Sequence, residues 1–175
     1  MPDWRGRTGR GDGPVSVDVT LTSDELWQAV AVGAQRRITC ITRRKTAQHY
    51  DDPKGEEWST EIESCAAEIA VARHLDVYWS GGIFAGERAE YDVGKNRQVR
   101  HTVYPSGRLI IYPEDNPKDK VALVTGKAPT YRLVGWLFAE EAQRVGEDHE
   151  WWLKPDNKRF PSLWVPQDKL RAFPQ

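Results

Sequence analysis

The sequence predicts a domain of the α+β or α/β class, with a mixed central β-sheet of about five strands, two long N-terminal helices and a short later helix. Helical periodicity covers two long stretches within the first 75 residues. Alternating or continuous apolar runs follow between residues 98 and 136, and a short helical pattern comes after them. Helices that precede a group of strands in this way pack against a sheet.

The length and composition of the chain indicate one domain. It has 175 residues, of which 39% are apolar, and a domain of this size buries roughly 70% of its unfolded surface. Residues 1–13 are rich in glycine and arginine and show no periodicity, so we interpret them as a flexible arm. Residues 14–175 are predicted to form a single globular domain.

The first strand and the first helix adjoin each other. Residues 15–22 alternate strictly between apolar and polar, which is typical of a half-buried strand. Thr22 is followed three residues later by Glu25, and this spacing predicts a capping box at a helix start. The apolar periodicity then predicts a helix that runs to about Arg43.

The second helix is predicted over residues 57–75. Its apolar stripe contains several small residues, so a neighbouring element should pack closely against it; the stripe comprises Ile62, Cys65, Ala66, Ile69, Ala72 and Leu75. Three glycines within residues 81–86 end the helical pattern and predict a loop.

Four strands are predicted next. Residues 98–103 and 108–112 flank a Pro-Ser-Gly turn and indicate a β-hairpin. The apolar run 121–125 predicts a central strand that is covered on both faces, and residues 130–136 predict a fourth strand. A short helix from Phe138 to Arg144 follows, and the remaining tail is predicted to be extended over the sheet.

Several classes of protein are not expected. No apolar run approaches the ~20 residues that a membrane-spanning helix needs, and the N-terminus lacks the apolar region of a signal peptide. The two cysteines, Cys40 and Cys65, form no metal-binding motif. We interpret them as buried free thiols in a reducing cytoplasm.

The eight tryptophans have two interpretations. Trp27, Trp58 and Trp136 fit the apolar patterns and are predicted to pack in the core or at its edge. Trp151 and Trp152 lie in a polar tail, where they are candidates for contact with a partner.

Basic residues are concentrated in two regions although the net charge is only −1. Such patches bind the phosphate backbone of DNA even when the total charge is near neutral. Basic residues near the end of a helix also have a simpler explanation, because they interact favourably with the helix dipole. The candidate DNA-binding residues are Arg5, Arg7, Arg10, Arg36, Arg37, Arg43, Arg44 and Lys45.

A polar group at the start of the β-rich half suggests phosphodiester chemistry. Asp92 precedes Gln98 and Arg100, which share one face of the predicted strand, and Glu68 lies on the edge of the second helix. Carboxylate and amide oxygens bind Mg²⁺, and the ion activates a water. A guanidinium stabilises the charge that develops on phosphorus.

These residues resemble the PD-(D/E)XK nuclease superfamily, which has the restriction-endonuclease-like fold. The resemblance runs from Glu68 in AAEIAVARHL through Asp92 in EYDVG to Gln98-Val99-Arg100 and the strands RLIIY and VALVT. More narrowly, these segments are similar to a family of small, uncharacterised bacteriophage proteins. The chain departs from the family pattern at three positions, because Tyr91 replaces a proline, Gln98 an acid and Arg100 a lysine.

The resemblance implies a restriction-endonuclease-like core with an αβββαβ-type mixed sheet, and a DNA endo- or exonuclease dependent on Mg²⁺ or Mn²⁺. It implies that Asp92, Gln98, Arg100 and Glu68 are catalytic, with Asp92, Gln98 and Glu68 as the metal ligands. It also implies the cytoplasm of an infected or prophage-carrying host. The Gln98 and Arg100 replacements weaken metal binding and proton transfer, respectively.

Alternative functions stay open at this level. Asp92 fits a strand-end turn, Gln98 a surface amide, Glu68 an edge carboxylate, and Arg100 a buried ion pair with Glu68 or Asp92. The chain is then either an inactive DNA- or protein-binding module on the same fold, or a scaffold for phage assembly or for inhibiting the host. The scaffold would form a homo-oligomer or bind a phage or host protein.

Overall fold

The computed structural model describes residues 15–42, 56–83, 91–153 and 161–174. These ranges contain three α-helices, seven β-strands and one 3₁₀ helix. In chain order they are β1 (Val17–Thr20), α1 (Ser23–Thr42), α2 (Glu57–His74), β2 (Arg97–Thr102), β3 (Leu109–Ile111), β4 (Lys120–Lys127), β5 (Thr130–Phe138), α3 (Ala139–Gln143), β6 (Trp152–Leu153), β7 (Ser162–Val165) and the 3₁₀ helix Gln167–Lys169.

The strands form two sheets. The first is a mixed sheet of four strands in the order β1-β5-β4-β2, in which β2 and β4 run parallel and the other neighbours are antiparallel. The second is an antiparallel sheet in the order β3-β7-β6. The fold is therefore α+β with a mixed sheet, as predicted, but this sheet has four strands rather than about five.

The predicted hairpin of residues 98–103 and 108–112 is wrong. β2 pairs with β4, so that Gln98 lies opposite Val121. β3 belongs to the second sheet and pairs with β7, where Leu109 lies opposite Val165. The tail supplies an apolar partner for β3, and the turn pattern at 105–107 carries no information about that distant strand.

Two hydrophobic clusters lie on opposite faces of β4. Ala122 and Val124 pack in the cluster beneath α2, whereas Val121 and Leu123 pack in the cluster shared with the second sheet and α3. The central position of β4, covered on both faces, confirms the interpretation of the apolar run at 121–125.

Helix α1 begins at the predicted capping box. The Thr22 amide donates to Oε2 of Glu25 over 2.7 Å, and the Glu25 amide donates to Oγ1 of Thr22 over 3.3 Å. The helix packs closely on α2 at Gly33, where an added Cβ would lie 2.7 Å from the Ile62 Cα. This contact aligns the inner face of α1 with α2.

The cysteines and two of the tryptophans agree only in part with the predicted burial. Cys65 is a buried free thiol, whereas Cys40 is free but only partly buried. Trp27 and Trp58 are exposed rather than packed in the core.

Within the four described ranges, the structure has no helix both long and apolar enough to cross a bilayer. The predicted N-terminal arm lies outside the described residues.

Candidate functional site

Glu68 is the most buried of the four candidate site residues and is held by three donors. It lies on α2 and is 4% exposed. Nη1 and Nη2 of Arg36 donate to Oε1 and Oε2 over 2.6 and 3.0 Å, and Nε1 of Trp79 donates to Oε2 over 2.8 Å. Arg36 also donates through Nε to the Gly82 carbonyl. Both carboxylate oxygens are therefore engaged by the protein itself.

Asp92 lies close enough to Glu68 for their charges to interact. Its Oδ2 accepts a hydrogen bond from the Val99 amide over 2.7 Å, which fixes it at the start of β2. Burial, followed by the negative charge of Glu68, raises the pKa of Asp92 to about 6. The Val99 hydrogen bond and the charges of Arg100 and Arg36 act in the opposite direction.

Gln98 and Arg100 lie on the other face of β2. The parallel register places them beside Val121 and Leu123, which pack away from α2. Arg100 donates to Oδ1 of Asp115 over 2.8 Å, so its close ion-pair partner is neither Glu68 nor Asp92. The predicted sharing of one face by Gln98 and Arg100 agrees with this register.

The acids around Gln98 and Arg100 come from the segment before β4. Arg100 lies over the Tyr112 ring, 5.5 Å from its centroid, and Gln98 forms a side-chain hydrogen bond with buried Asp119. Burial raises the pKa of Asp119, and the hydrogen bond from Gln98 opposes that rise. Asp115 and Asp119 were not among the candidate site residues predicted from the sequence.

One amide side chain holds the segment that carries these acids. Nε2 of Gln143 donates to the carbonyls of Tyr112, Pro113 and Asp115 over distances of 2.8 to 3.3 Å. The Tyr112 amide also donates to Oδ2 of Asp115 over 2.9 Å. Asp115 is consequently fixed opposite Arg100 by contacts that the sequence pattern does not reveal.

The three predicted metal ligands do not form one donor set. Glu68 is engaged by Arg36 and Trp79, Asp92 accepts from Val99, and Gln98 lies on the opposite face of β2. Across the described residues, no group of three or more His, Cys, Asp or Glu side chains is arranged to hold a metal ion. In these positions the three residues do not form a binding site for Mg²⁺ or Mn²⁺. Binding of either ion stays a prediction from the sequence.

Two of the predicted DNA-binding residues have intramolecular partners. Arg36 is paired with Glu68, and Nη2 of Arg37 lies 3.6 Å from Oε1 of Glu57. Both side chains are largely buried. The other predicted residues, Arg5, Arg7, Arg10, Arg43, Arg44 and Lys45, lie outside the described residues.

A basic surface that the sequence analysis missed lies next to Asp92. The surface combines residues 95–97 with residues 118–120, and two hydrogen bonds join these segments. The Lys120 amide donates to the Asn96 carbonyl over 2.9 Å, and Nδ2 of Asn96 donates to the Lys118 carbonyl over 3.3 Å. In the part of the chain that the structure describes, none of its cations has an ion pair. We call this the basic surface: Lys95, Arg97, Lys118 and Lys120.

Aromatic rings adjoin the basic surface. The Lys120 ammonium lies 5.1 Å from the centroid of a Trp136 ring and 5.7 Å from that of Phe138. Arg171 stacks on the same two rings and is paired with Glu141. Residues 95–97 and 118–120 are more than 20 positions apart, so only the parallel pairing of β2 with β4 could have revealed the surface.

The resemblance to the PD-(D/E)XK superfamily rests on the sequence motif alone. From α2 onward the order is one helix, four strands, one helix and two strands, divided between two sheets. This order has one strand more before the later helix, and one more after it, than the implied αβββαβ arrangement. Comparison of the chain with protein-family models, with curated proteins and with solved structures finds no match.

Proposed function

We propose that this chain is a DNA-binding protein that contacts the phosphate backbone through the basic surface and does not cleave it. The observation that carries the proposal is the convergence of Lys95, Arg97, Lys118 and Lys120 at the joined starts of β2 and β4, without ion pairs among the described residues. Cations without acidic partners are available to replace the counterions of a phosphate backbone.

The surroundings of the basic surface support binding rather than catalysis. Glu68 and Asp92, which would repel a phosphate if both were unpaired anions, lie near Arg36 and Arg100. The acids therefore oppose DNA binding less than two free carboxylates would.

The basic surface is suited to contact the phosphate backbone of DNA rather than the bases. Cations that neutralise phosphates give affinity without reading sequence. Trp136 and Phe138 lie under Lys120 and are only partly exposed, so they hold the cation in place more than they offer a stacking platform. We therefore expect binding with little sequence preference and a strong dependence on salt.

A metal-dependent nuclease is the alternative that the family resemblance implies. It would require Glu68 to exchange Arg36 for a metal ion, which would leave a buried guanidinium without its anion. The scaffold alternative, with a phage or host protein as partner, predicts no DNA affinity at all. Both alternatives differ from our proposal in a measurable way.

Fluorescence anisotropy with labelled duplex and single-stranded DNA tests the proposal. The titration is done in EDTA at several salt concentrations with the wild type, with Arg97→Gln/Lys120→Gln, and with Lys127→Gln. Lys127 is the matched control, because it is an exposed lysine at the opposite end of β4. We expect binding that the double variant weakens at least about tenfold and the control leaves unchanged. Absence of wild-type binding, or equal loss in the control, would overturn the proposal.

A further inference from the structure

Helix α1 carries an apolar stripe on its outer face. The exposed fractions are 71% for Trp27, 49% for Ile38 and 52% for Ile41. Val30 and Ala31 are also exposed, and Ala34 is partly exposed. These side chains recur every three or four residues over four turns of helix, so they lie on one side of it. We call them the α1 stripe: Trp27, Val30, Ala31, Ala34, Ile38 and Ile41.

The α1 stripe is not part of the core. The opposite side of the helix packs on α2, where Ala29 is fully buried and Gly33 meets the backbone of Ile62. Arg36, on this inner side, reaches Glu68. On the inner side of the helix, Gly33 and Arg36 therefore have partners on α2. The large apolar residues on its outer side are exposed to solvent. A continuous exposed stripe of this kind marks an interaction surface.

We propose that the α1 stripe is the interface of a homodimer, in which α1 packs antiparallel against α1 of a second copy. The four large apolar side chains of the stripe are symmetric about Ala34: Trp27 and Ile41 lie seven positions from it, and Val30 and Ile38 lie four. A two-fold axis at Ala34 places Trp27 opposite Ile41 of the second copy and Val30 opposite Ile38. A self-complementary patch of this type is what a two-fold interface requires.

The size of residue 34 and the spacing of the stripe suit helix packing. Alanine at the axis allows the two helices to approach to within about 8–10 Å, the usual interaxial distance. The positions Trp27, Ala31, Ala34, Ile38 and Ile41 alternate spacings of four and three, which is the repeat of a packed helix pair.

The charge distribution favours the antiparallel direction. Asp24 and Glu25 lie in the first turn of α1, and the last turn of the helix contains no basic residue. Antiparallel packing keeps the acidic starts of the two helices at opposite ends of the interface, and it also opposes the two helix dipoles. A parallel pair would instead bring like charges together.

The expected affinity is modest. Two helices of 20 residues contact over about 30 Å, which places the interface near the lower limit of ~1,200 Å² for specific complexes. We therefore expect a dimer with a dissociation constant in the micromolar range. The DNA-binding proposal does not depend on this interface.

Sedimentation equilibrium of the full chain over about 1–500 µM tests the interface. Ile38→Glu introduces a charge into the stripe at an exposed position, so folding should persist, and thermal unfolding of the variant checks this. Tyr104→Glu is the control, because Tyr104 is 63% exposed and lies outside α1. We expect wild type and control to dimerise equally and Ile38→Glu to dimerise at least about tenfold more weakly. A wild type that stays monomeric, or an unaffected Ile38→Glu dimer, would overturn the proposal.

Disulfide cross-linking tests the direction and the axis. In a Cys40→Ser background, Ala34→Cys places two thiols at the proposed axis, whereas Asp24→Cys places them about 30 Å apart. We expect oxidation to link Ala34→Cys dimers and to leave Asp24→Cys unlinked. Linking of both variants would indicate a parallel pair, and linking of neither would indicate a different interface; each result overturns the proposed arrangement.

Discussion

Arg36 on α1 holds both carboxylate oxygens of Glu68 on α2, at N–O distances of 2.6 and 3.0 Å. Trp79 donates to the same carboxylate from the segment that follows α2. The acid that the family resemblance assigns to metal binding is thus occupied by a guanidinium from a neighbouring helix. Arg36, Glu68 and Trp79 thus join three segments of the chain, and the charges of Glu68 and Arg36 act in opposite directions on the pKa of Asp92.

Removing the charge of Glu68 should destabilise the fold strongly. Glu68→Gln leaves the largely buried Arg36 without its anion, and breaking a buried pair in this way costs about 3–5 kcal/mol. Urea unfolding measures the loss. The exposed pair of Asp18 with Arg132 is the control, and Asp18→Asn should change stability little. The prediction is wrong if both substitutions have the same small effect.

Replacing both partners should cost less than replacing one. The double variant Arg36→Met/Glu68→Met removes the buried guanidinium together with its anion, and such exchanges are often neutral or stabilising. We expect it to be more stable than Glu68→Gln in the same urea titration. The single variants Arg36→Met and Glu68→Met complete the cycle. A double variant whose loss of stability equals the sum of their losses would show that the two side chains act independently.

The wild type should lose stability relative to Asp92→Asn as the pH rises from 4 to 6.5. The folded pKa of Asp92 is about 6, above its ordinary value of 3.8, so the folded state binds more protons in this window. Stability from the neutral carboxyl is complete below pH 4 and is lost as the pH passes 6. The change is on the order of 2 kcal/mol.

Urea unfolding at several pH values, with wild type and Asp92→Asn compared at each, measures this change. Asparagine retains an oxygen that accepts from the Val99 amide, so the comparison isolates the titration. Asp18→Asn is the control, because the hydrogen bond from Arg132 lowers the pKa of Asp18 below 3.8, so its contribution to stability changes mainly below pH 4. A constant difference between wild type and Asp92→Asn across the window would contradict the prediction.

Gly33→Ala should destabilise the contact between α1 and α2. The added Cβ would lie 2.7 and 2.8 Å from the Cα and the backbone nitrogen of Ile62, and two helix backbones yield little. We expect a loss of about 1–3 kcal/mol, which outweighs the higher helix propensity of alanine. Gly146→Ala is the control, since no atom lies within 4 Å of its added Cβ. Thermal unfolding of the two variants checks the prediction.

Neutralising the basic surface should change the salt dependence of DNA binding. Each of Lys95→Gln and Lys118→Gln should lower the slope of log K against log salt by about 1 if its ammonium contacts a phosphate. Affinity should fall by a similar factor for unrelated DNA sequences, because these contacts carry no base readout. Unchanged slopes in both variants would place the DNA elsewhere on the protein.

The sequence predicted the features that depend on local patterns. The capping box of Thr22 and Glu25, both long helices and the doubly covered strand β4 agree with the structure, because each is encoded by adjacent residues. The hairpin prediction failed because the partner of β3 lies more than 50 residues away, in β7. Local turn patterns contain no information about such a pairing.

The candidate site was predictable only in part. The register of β2 follows from its alternation, so the shared face of Gln98 and Arg100 could be predicted. Arg36 appeared in the sequence as one of several basic residues, and its pairing with Glu68 depends on how α1 crosses α2 at Gly33. The basic surface likewise arises from the parallel contact of β2 with β4, which the sequence pattern does not specify.

Calorimetric titration of the folded chain with Mn²⁺, for wild type and Asp92→Ala, tests whether Arg36 rather than a metal ion pairs with Glu68. We expect no stoichiometric binding in either protein, because Arg36 occupies Glu68 and the other predicted ligands do not converge. If one Mn²⁺ binds per wild-type chain and this binding is lost in Asp92→Ala, the expectation is wrong and a metal-dependent nuclease is supported instead.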